Sequence, residues 1–174
     1  MELYLESPRL ILRSPISGDS EILARERSKD FVTRYNLYRE CDAEQIEREL
    51  AEYDHAVIVM KETNEVIGAI SVRDDDMRYR MDSVLLQAWL TEECAYKGYM
   101  CEALDAIINY LFSVEGHERV AGQILSENRA SIRLVEKLGF EQEGYLKRAL
   151  RNSKDEVFDV VLYSLDRETY LNRK

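Results

Sequence analysis

Ala95-Tyr96-Lys97-Gly98-Tyr99-Met100 is the stretch around which the rest of the chain is arranged. It follows an apolar run, 84–90. It precedes a segment in which Met100, Ala103, Leu104, Ile107, Ile108 and Leu111 recur at the i, i+3, i+4, i+7 spacing of a helix burying one side. The pattern predicts strand, tight turn and a helix over 100–112, with Gly116 as the stop. First-turn N–H groups lack partners inside a helix and carry a partial positive charge, so a phosphate is stabilised there. Gly98 lets the main chain approach such a ligand with no Cβ in the way. The dipole supplies about 0.3–1 kcal/mol, whereas each N–H bond to a charged oxygen supplies about 1.5–3 kcal/mol. Main-chain donors of the turn would therefore do most of the holding. Taken alone, the glycine fits an ordinary strand-to-helix turn equally well.

Composition narrows the field. The 174 residues are 45% hydrophobic and 33% charged, which suits one domain with a substantial core and excludes a disordered chain. No apolar run approaches the ~20 residues of a membrane span. Met1-Glu2-Leu3-Tyr4 lacks the basic start and apolar middle of a signal peptide. Cys41, Cys94 and Cys101 are odd in number and form no CxxC, so neither a disulfide framework nor a zinc site is indicated. No metal is expected, and cytoplasmic residence is the default. A formal charge of −10 argues against nucleic acid as a partner and favours cations, protonated amines among them. The plainer role of that charge is solubility.

Outward from the turn, 3–13 contains Arg9-Leu10-Ile11-Leu12-Arg13, a compact strand, followed by breaks at Pro15 and Gly18. Asp19 is expected to cap a short helix through Ile22, Leu23 and Arg27. The stretch 29–38, with Phe31, Tyr35 and Tyr38, has no clean period and reads as irregular or short helical chain. A helix over 43–53 carries Glu44, Glu47, Glu49 and Glu52 on its wet face. The β-branched runs 55–60 and 66–72 predict an antiparallel hairpin, continued through Asp74-Asp75-Asp76 to a third strand, 83–90. After the central helix come a strand over 119–125 and a helix over 128–138 ended by Gly139. A closing hairpin over 140–149 and 157–165 turns at Asn152-Ser153-Lys154-Asp155. Strand, helix, strand order makes 83–90 and 119–125 parallel neighbours, and ligands bind such sheets at the carboxyl ends of the strands. The expected fold class is α+β: one domain over 1–174, with a mixed, mostly antiparallel sheet splayed at the parallel pair and flanked by helices.

An ordered set of landmarks resembles the GNAT superfamily of N-acetyltransferases. They are Trp89-Leu90-Thr91-Glu92-Glu93, Tyr96-Lys97-Gly98-Tyr99 with Glu102-Ala103-Leu104, Asn128-Arg129-Ala130-Ser131 and Lys137-Leu138-Gly139-Phe140. The opening Pro8-Arg9-Leu10-Ile11-Leu12-Arg13 and the tail Phe158-Asp159-Val160-Val161-Leu162-Tyr163 resemble its RimJ/RimL-like branch. The resemblance implies acetyl transfer from acetyl-CoA to a primary amine, either a protein N-terminal α-amine or a small amine. It implies that the loop of Ala95, Tyr96, Lys97, Gly98, Tyr99 and Met100 wraps the pyrophosphate of CoA. Ala88, Trp89 and Leu90 would bond the pantetheine arm through their main chain, with Asn128 on its other side and Ser131 near the thioester sulfur. A homodimer is one assembly the family adopts.

Departures from the family pattern are Ala95 and Met100 at the outer positions of the loop, and Val135 where many relatives carry a general-acid tyrosine. They motivate an alternative, a non-catalytic acyl-CoA-binding or regulatory protein, and Val135 weakens a polyamine assignment. The candidate catalytic groups are the main-chain N–H near Leu90, as oxyanion donor, and Ser131, as proton donor to the thiolate. Ser131 also suits a structural place in the first helical turn beside Asn128. Tyr145 is an alternative proton donor, with a sheet role as the plainer reading. Gln87 cannot act as a base, and Asp82 with the Asp74–Asp76 run reads as solvated connection. His55 and His117 read as packing or surface residues.

Overall fold

The computed structural model describes residues 2–36, 41–152 and 155–172. They belong to two compact units, 1–72 with 87–107 and 73–86 with 108–174.

In the first unit, strands β1 (Tyr4–Glu6), β2 (Leu10–Arg13), β3 (Asp54–Met60) and β4 (Val66–Asp74, its last two residues in the second unit) pair antiparallel in succession. The β-branched runs produce the expected β3–β4 hairpin. The compact opening strand is in fact two, because the Ser7 N–H donates to the Leu10 carbonyl at 3.0 Å and folds β1 back on β2. Three helices follow β2: α1 (Asp19–Arg27), α2 (Asp30–Asn36) and α3 (Ala43–Glu52). Asp19 is not the cap of α1. Gly18, at φ +94°, takes that position, and the Asp19 carboxylate accepts from the Ile16 N–H at 2.7 Å and from Arg13 Nη1 at 2.6 Å. The stretch without a period proves helical over α2, while Tyr38 lies outside the described residues. α3 begins with a capping box between Asp42 and Gln45. Leu23 of α1, Val32 of α2 and Ile46 of α3 cluster with Val57, Val59, Ala69 and Trp89. Each leucine, isoleucine or valine among them contributes roughly 1.5–3 kcal/mol when fully buried.

Strand β5 (Ser83–Leu90) begins in the second unit and ends in the first, and helix α4 (Tyr99–Tyr110) runs the other way. In the second unit β5 pairs parallel with β6 (Arg119–Leu125) through Ser83–Arg119, Val84–Val120 and Leu85–Ala121. β7 (Glu141–Arg151) and β8 (Val157–Asp166) form the expected closing hairpin, with β8 inserted antiparallel between β6 and β7. Of the turn joining them, Ser153 and Lys154 lie outside the described residues. The predicted apolar stripe of α4 is buried: Ala103, Ile107 and Ile108 are at 0% exposure. The helix runs on through a π-helical turn, Leu111–Glu115, and stops at Gly116, φ +84°. Helix α5 (Arg129–Lys137) ends before Gly139, φ +87°, as the sequence predicts. A short last helix, α6 (Arg167–Leu171), packs Tyr170 against Phe112 with ring centroids 5.3 Å apart.

The acidic run departs from its reading as solvated chain. Asp74 and Asp76 are exposed, but Asp75 is buried. Its carboxylate accepts from Ser83 Oγ at 2.8 Å and from the Met77 N–H at 3.2 Å, closing the turn ahead of β5. Among the described residues no helix is long and apolar enough to cross a membrane.

Candidate active site

The Ala95–Met100 loop owes its form to the chain on either side of it. Where β5 ends, the Thr91 N–H donates to the Ile67 carbonyl at 2.8 Å, and a 3₁₀ turn, Glu92–Cys94, follows. The Ala95 N–H closes on the Glu92 carbonyl at 3.1 Å. Tyr96 then adopts φ +59° and Gly98 φ +83°. Left-handed residues interspersed in a turn cup successive N–H groups into a hollow that suits an anion. Past the loop, the Gly98 carbonyl accepts from the Glu102 N–H at 3.1 Å, so α4 takes over directly. Gly98 is required for its backbone conformation. A Cβ there would meet only Arg9 Nη2, at 3.4 Å, whereas φ +83° strains any residue with a side chain. Tyr96 and Lys97 are exposed, and Ala95, Tyr99 and Met100 are half-buried.

Side chains that the sequence does not flag as a site stand behind this loop. Arg9 Nη1 donates to the Lys97 carbonyl at 3.0 Å, and Arg9 Nε to Glu102 Oε2 at 2.7 Å. The other oxygen of Glu102 accepts from the Arg9 main-chain N–H at 2.8 Å and from Ser7 Oγ at 2.6 Å. The Arg9 guanidinium lies over the Tyr99 ring, 4.3 Å from its centroid. Burial pulls the Glu102 carboxyl upward, but the bonds from Ser7 and Arg9 outweigh it and hold the group below its ordinary range.

At the end of β5, Trp89 and Leu90 bury their side chains and Ala88 is half-buried. What this strand end can offer a ligand is main chain. Gly68 of β4 is shaped to it: a Cβ at Gly68 would lie 2.2 Å from the Trp89 carbonyl oxygen and 3.0 Å from Leu90 Cα. Only a residue without a side chain permits so close an approach. Gln87 donates through Nε2 to the Asn36 carbonyl at 3.4 Å.

Asn128 and Ser131 lie in the second unit. Asn128 is the N-cap of α5, its Oδ1 accepting from the Ser131 N–H at 3.1 Å. The structural place foreseen for Ser131 is thus occupied through its main chain, and its half-buried hydroxyl is a separate group. Val135 is half-buried one turn further along the helix. Tyr145 donates its hydroxyl to Asp159 Oδ2 at 2.6 Å, and Asp159 Oδ1 accepts the Arg148 N–H at 2.7 Å. That bond to Asp159 is the main reason the Tyr145 hydroxyl is raised above its ordinary pKa, which makes it a poorer proton donor. Asp82 meets His117 Nδ1 at 2.6 Å, and His55 Nδ1 lies 2.9 Å from the Tyr53 carbonyl.

Comparison with known proteins bears on both units. A family model described as an acetyltransferase (GNAT) domain matches residues 9–141. An uncharacterized N-acetyltransferase, YoaA, of Bacillus subtilis is 28% identical over 173 residues, covering 92% of this chain and 95% of its own. The uncharacterized N-acetyltransferase p20 of Bacillus licheniformis is 29% identical over 178 residues, with 97% of each chain covered. Among solved structures, the ribosomal-protein-S5-alanine acetyltransferase of Vibrio fischeri matches with a TM-score of 0.85 at 20% identity, covering 97% of this chain and 99% of that one. The spermidine N-acetyltransferase of Vibrio cholerae, solved with CoA and spermine, matches with a TM-score of 0.84 at 18% identity, covering 95% and 100%. At these identities the two structures establish likeness of fold.

Proposed function

This chain belongs to the GNAT acetyltransferase family, and from that premise we propose that it transfers the acetyl group of acetyl-CoA to the α-amine of a peptide or protein N-terminus. The observation that carries the reading is the loop ahead of α4. Its left-handed Tyr96 and Gly98 and the first turn of the helix, whose N–H groups have no partners within it, form a main-chain cradle of the kind a diphosphate needs. The cradle's donors belong to the main chain, so Ala95 at the outer position of the loop leaves them intact.

Donor and acceptor meet without an enzyme nucleophile. The amine nitrogen attacks the thioester carbonyl, the C–N bond forms, the C–S bond breaks, and the sulfur leaves as thiolate. Ala88, Trp89 and Leu90 bond the pantetheine arm by main chain, and the Leu90 N–H offsets charge growing on the carbonyl oxygen; the family resemblance assigns Asn128 a contact with the same arm. Ser131 supplies the thiolate's proton, directly or through a water, and the amine's surplus proton passes to solvent. The lack of an evident strong base among the described residues favours an α-amine substrate. A lysine-like amine opposes neutral pH by about 3.4 pKa units and an α-amine by about 1, so water and a weak carboxylate suffice for the latter. The tie of Tyr145 to Asp159 favours Ser131 as the donor. Residues 1–174 act as one catalytic domain, and the free thiols of Cys41, Cys94 and Cys101 fit a reducing, cytoplasmic setting.

The test is a thiol-release assay with acetyl-CoA against peptides bearing free N-termini and against polyamines, run beside CoA-dependent thermal shift. Release with peptides is expected. A CoA-dependent rise in Tm with no release from any amine would instead identify an acyl-CoA-binding protein.

A further inference from the structure

We infer that Arg9 is a positioning residue for the donor loop: by gripping the Lys97 carbonyl it aims the Gly98 N–H at the diphosphate. The inference rests on the acetyl-CoA reading above and adds a residue to it from outside the loop. All described peptide bonds are trans, so the Lys97 carbonyl and the Gly98 N–H, members of one planar unit, point in opposite directions. Fixing one fixes the other. Arg9 Nη1 holds that oxygen at 3.0 Å, and Arg9 Nη2 covers the flank of Gly98 on which a side chain would stand. The donor therefore faces away from the guanidinium.

The guanidinium is itself fixed. Its Nε is bound to Glu102 Oε2 at 2.7 Å, and its plane lies over the Tyr99 ring. Glu102 is held in turn by Ser7 Oγ and by the Arg9 main-chain N–H, both on Oε1. The next peptide unit is set independently, because the Gly98 carbonyl accepts from the Glu102 N–H. Two successive units, Lys97–Gly98 and Gly98–Tyr99, are thus anchored by their oxygens, and two successive N–H groups are presented. Glu102 alone would work against an anion at this helix start. Arg9 neutralises it at the same time as it orients the loop.

Exposure separates this role from plain stabilisation. The Arg9 side chain is 46% exposed and that of Glu102 14%, so solvent screens the pair in part and its contribution to folding is modest. An aimed donor, in contrast, acts on donor affinity alone. Arg9→Gln is expected to raise the Kd for CoA and the KM for acetyl-CoA about tenfold or more, one lost charged-oxygen bond in binding. It should leave the amine KM and kcat at saturating acetyl-CoA near wild type, with no more than a small fall in the unliganded Tm. Arg9→Lys keeps the charge without the planar fork, so it should recover only part of the affinity. If Arg9→Gln fails to fold, Arg9→Lys carries the test alone, with a smaller rise in Kd. Wild-type CoA affinity in the folded variants would overturn the inference, as would a loss of kcat, amine affinity and Tm in step. Absence of CoA binding by the wild-type protein would instead overturn the reading of the loop as a diphosphate site.

Discussion

Two helix starts in this molecule treat their free N–H groups in opposite ways. At α5 the chain caps itself: Asn128 turns its own oxygen onto the Ser131 N–H, and a first-turn donor is consumed by the protein. At α4 the supporting side chains act on carbonyl oxygens and on a carboxylate. Arg9 holds the Lys97 oxygen, Glu102 is held by Ser7 and Arg9, and Gly98 turns left-handed. The first arrangement stabilises a helix, and the second is the one expected of a start that receives the diphosphate proposed above. A helix terminus is generic, and the placement of its supports is what separates a structural end from a binding end.

The contrast breaks most readily at Gly98. Gly98→Val places a β-branched residue at φ +83°, a strain of about 1–3 kcal/mol, and should weaken CoA about tenfold or more by calorimetry. Gly98→Asn, which tolerates left-handed backbone, should keep most of the affinity. Equal behaviour of the two variants would mean that the conformation is not what the ligand needs. Next in size is Ser131→Ala. Turnover should fall at least about tenfold, as for loss of an acid catalyst, with CoA affinity and Tm almost unchanged. Unaltered turnover would leave Ser131 with its main-chain role only.

At Asn128 the two functions can be separated. Asn128→Ala should cost about 1 kcal/mol in denaturant unfolding, and Asn128→Ser, another good cap, should restore it. If the amide also touches the pantetheine arm, Ser will rescue stability but not the acetyl-CoA KM. The smallest effect is one of pH. The Glu102 carboxyl sits below its ordinary 4.5 in the folded chain, burial being outweighed by Ser7 and Arg9. Its contribution is complete above that value and is lost as pH falls through the folded pKa. Acid titration of Tm from about pH 6 to about pH 3 should therefore be shallower for Glu102→Gln than for wild type.

Local patterns in the chain proved sufficient for much of this. The one-sided burial of α4, the β3–β4 hairpin and the glycine stop of α5 all show as spacing in one short window. What escaped is non-local or too small to have a period. The fold-back of β1 on β2 hangs on the main chain of Ser7, and α6 is only Arg167–Leu171. Insertion of β8 between β6 and β7 is a pairing that no short window contains. The brace from Arg9 to Glu102 spans 93 residues, and neither residue differs in type from many exposed charges in the chain. Asp75 looks like its exposed neighbours Asp74 and Asp76 until the turn folds and Ser83 arrives. A charge becomes a brace through the company it keeps, and that company is fixed only in three dimensions.

Gly68 carries a lesson for anyone redesigning this scaffold. A methyl group on that alpha carbon would overlap the Trp89 carbonyl, so even alanine must shove the last residues of β5 aside. The same strand runs straight on into the 3₁₀ turn and the loop, so the shove would travel to the loop ahead of α4. One hydrogen atom thus serves as the gauge block against which the spacing of that whole stretch is set.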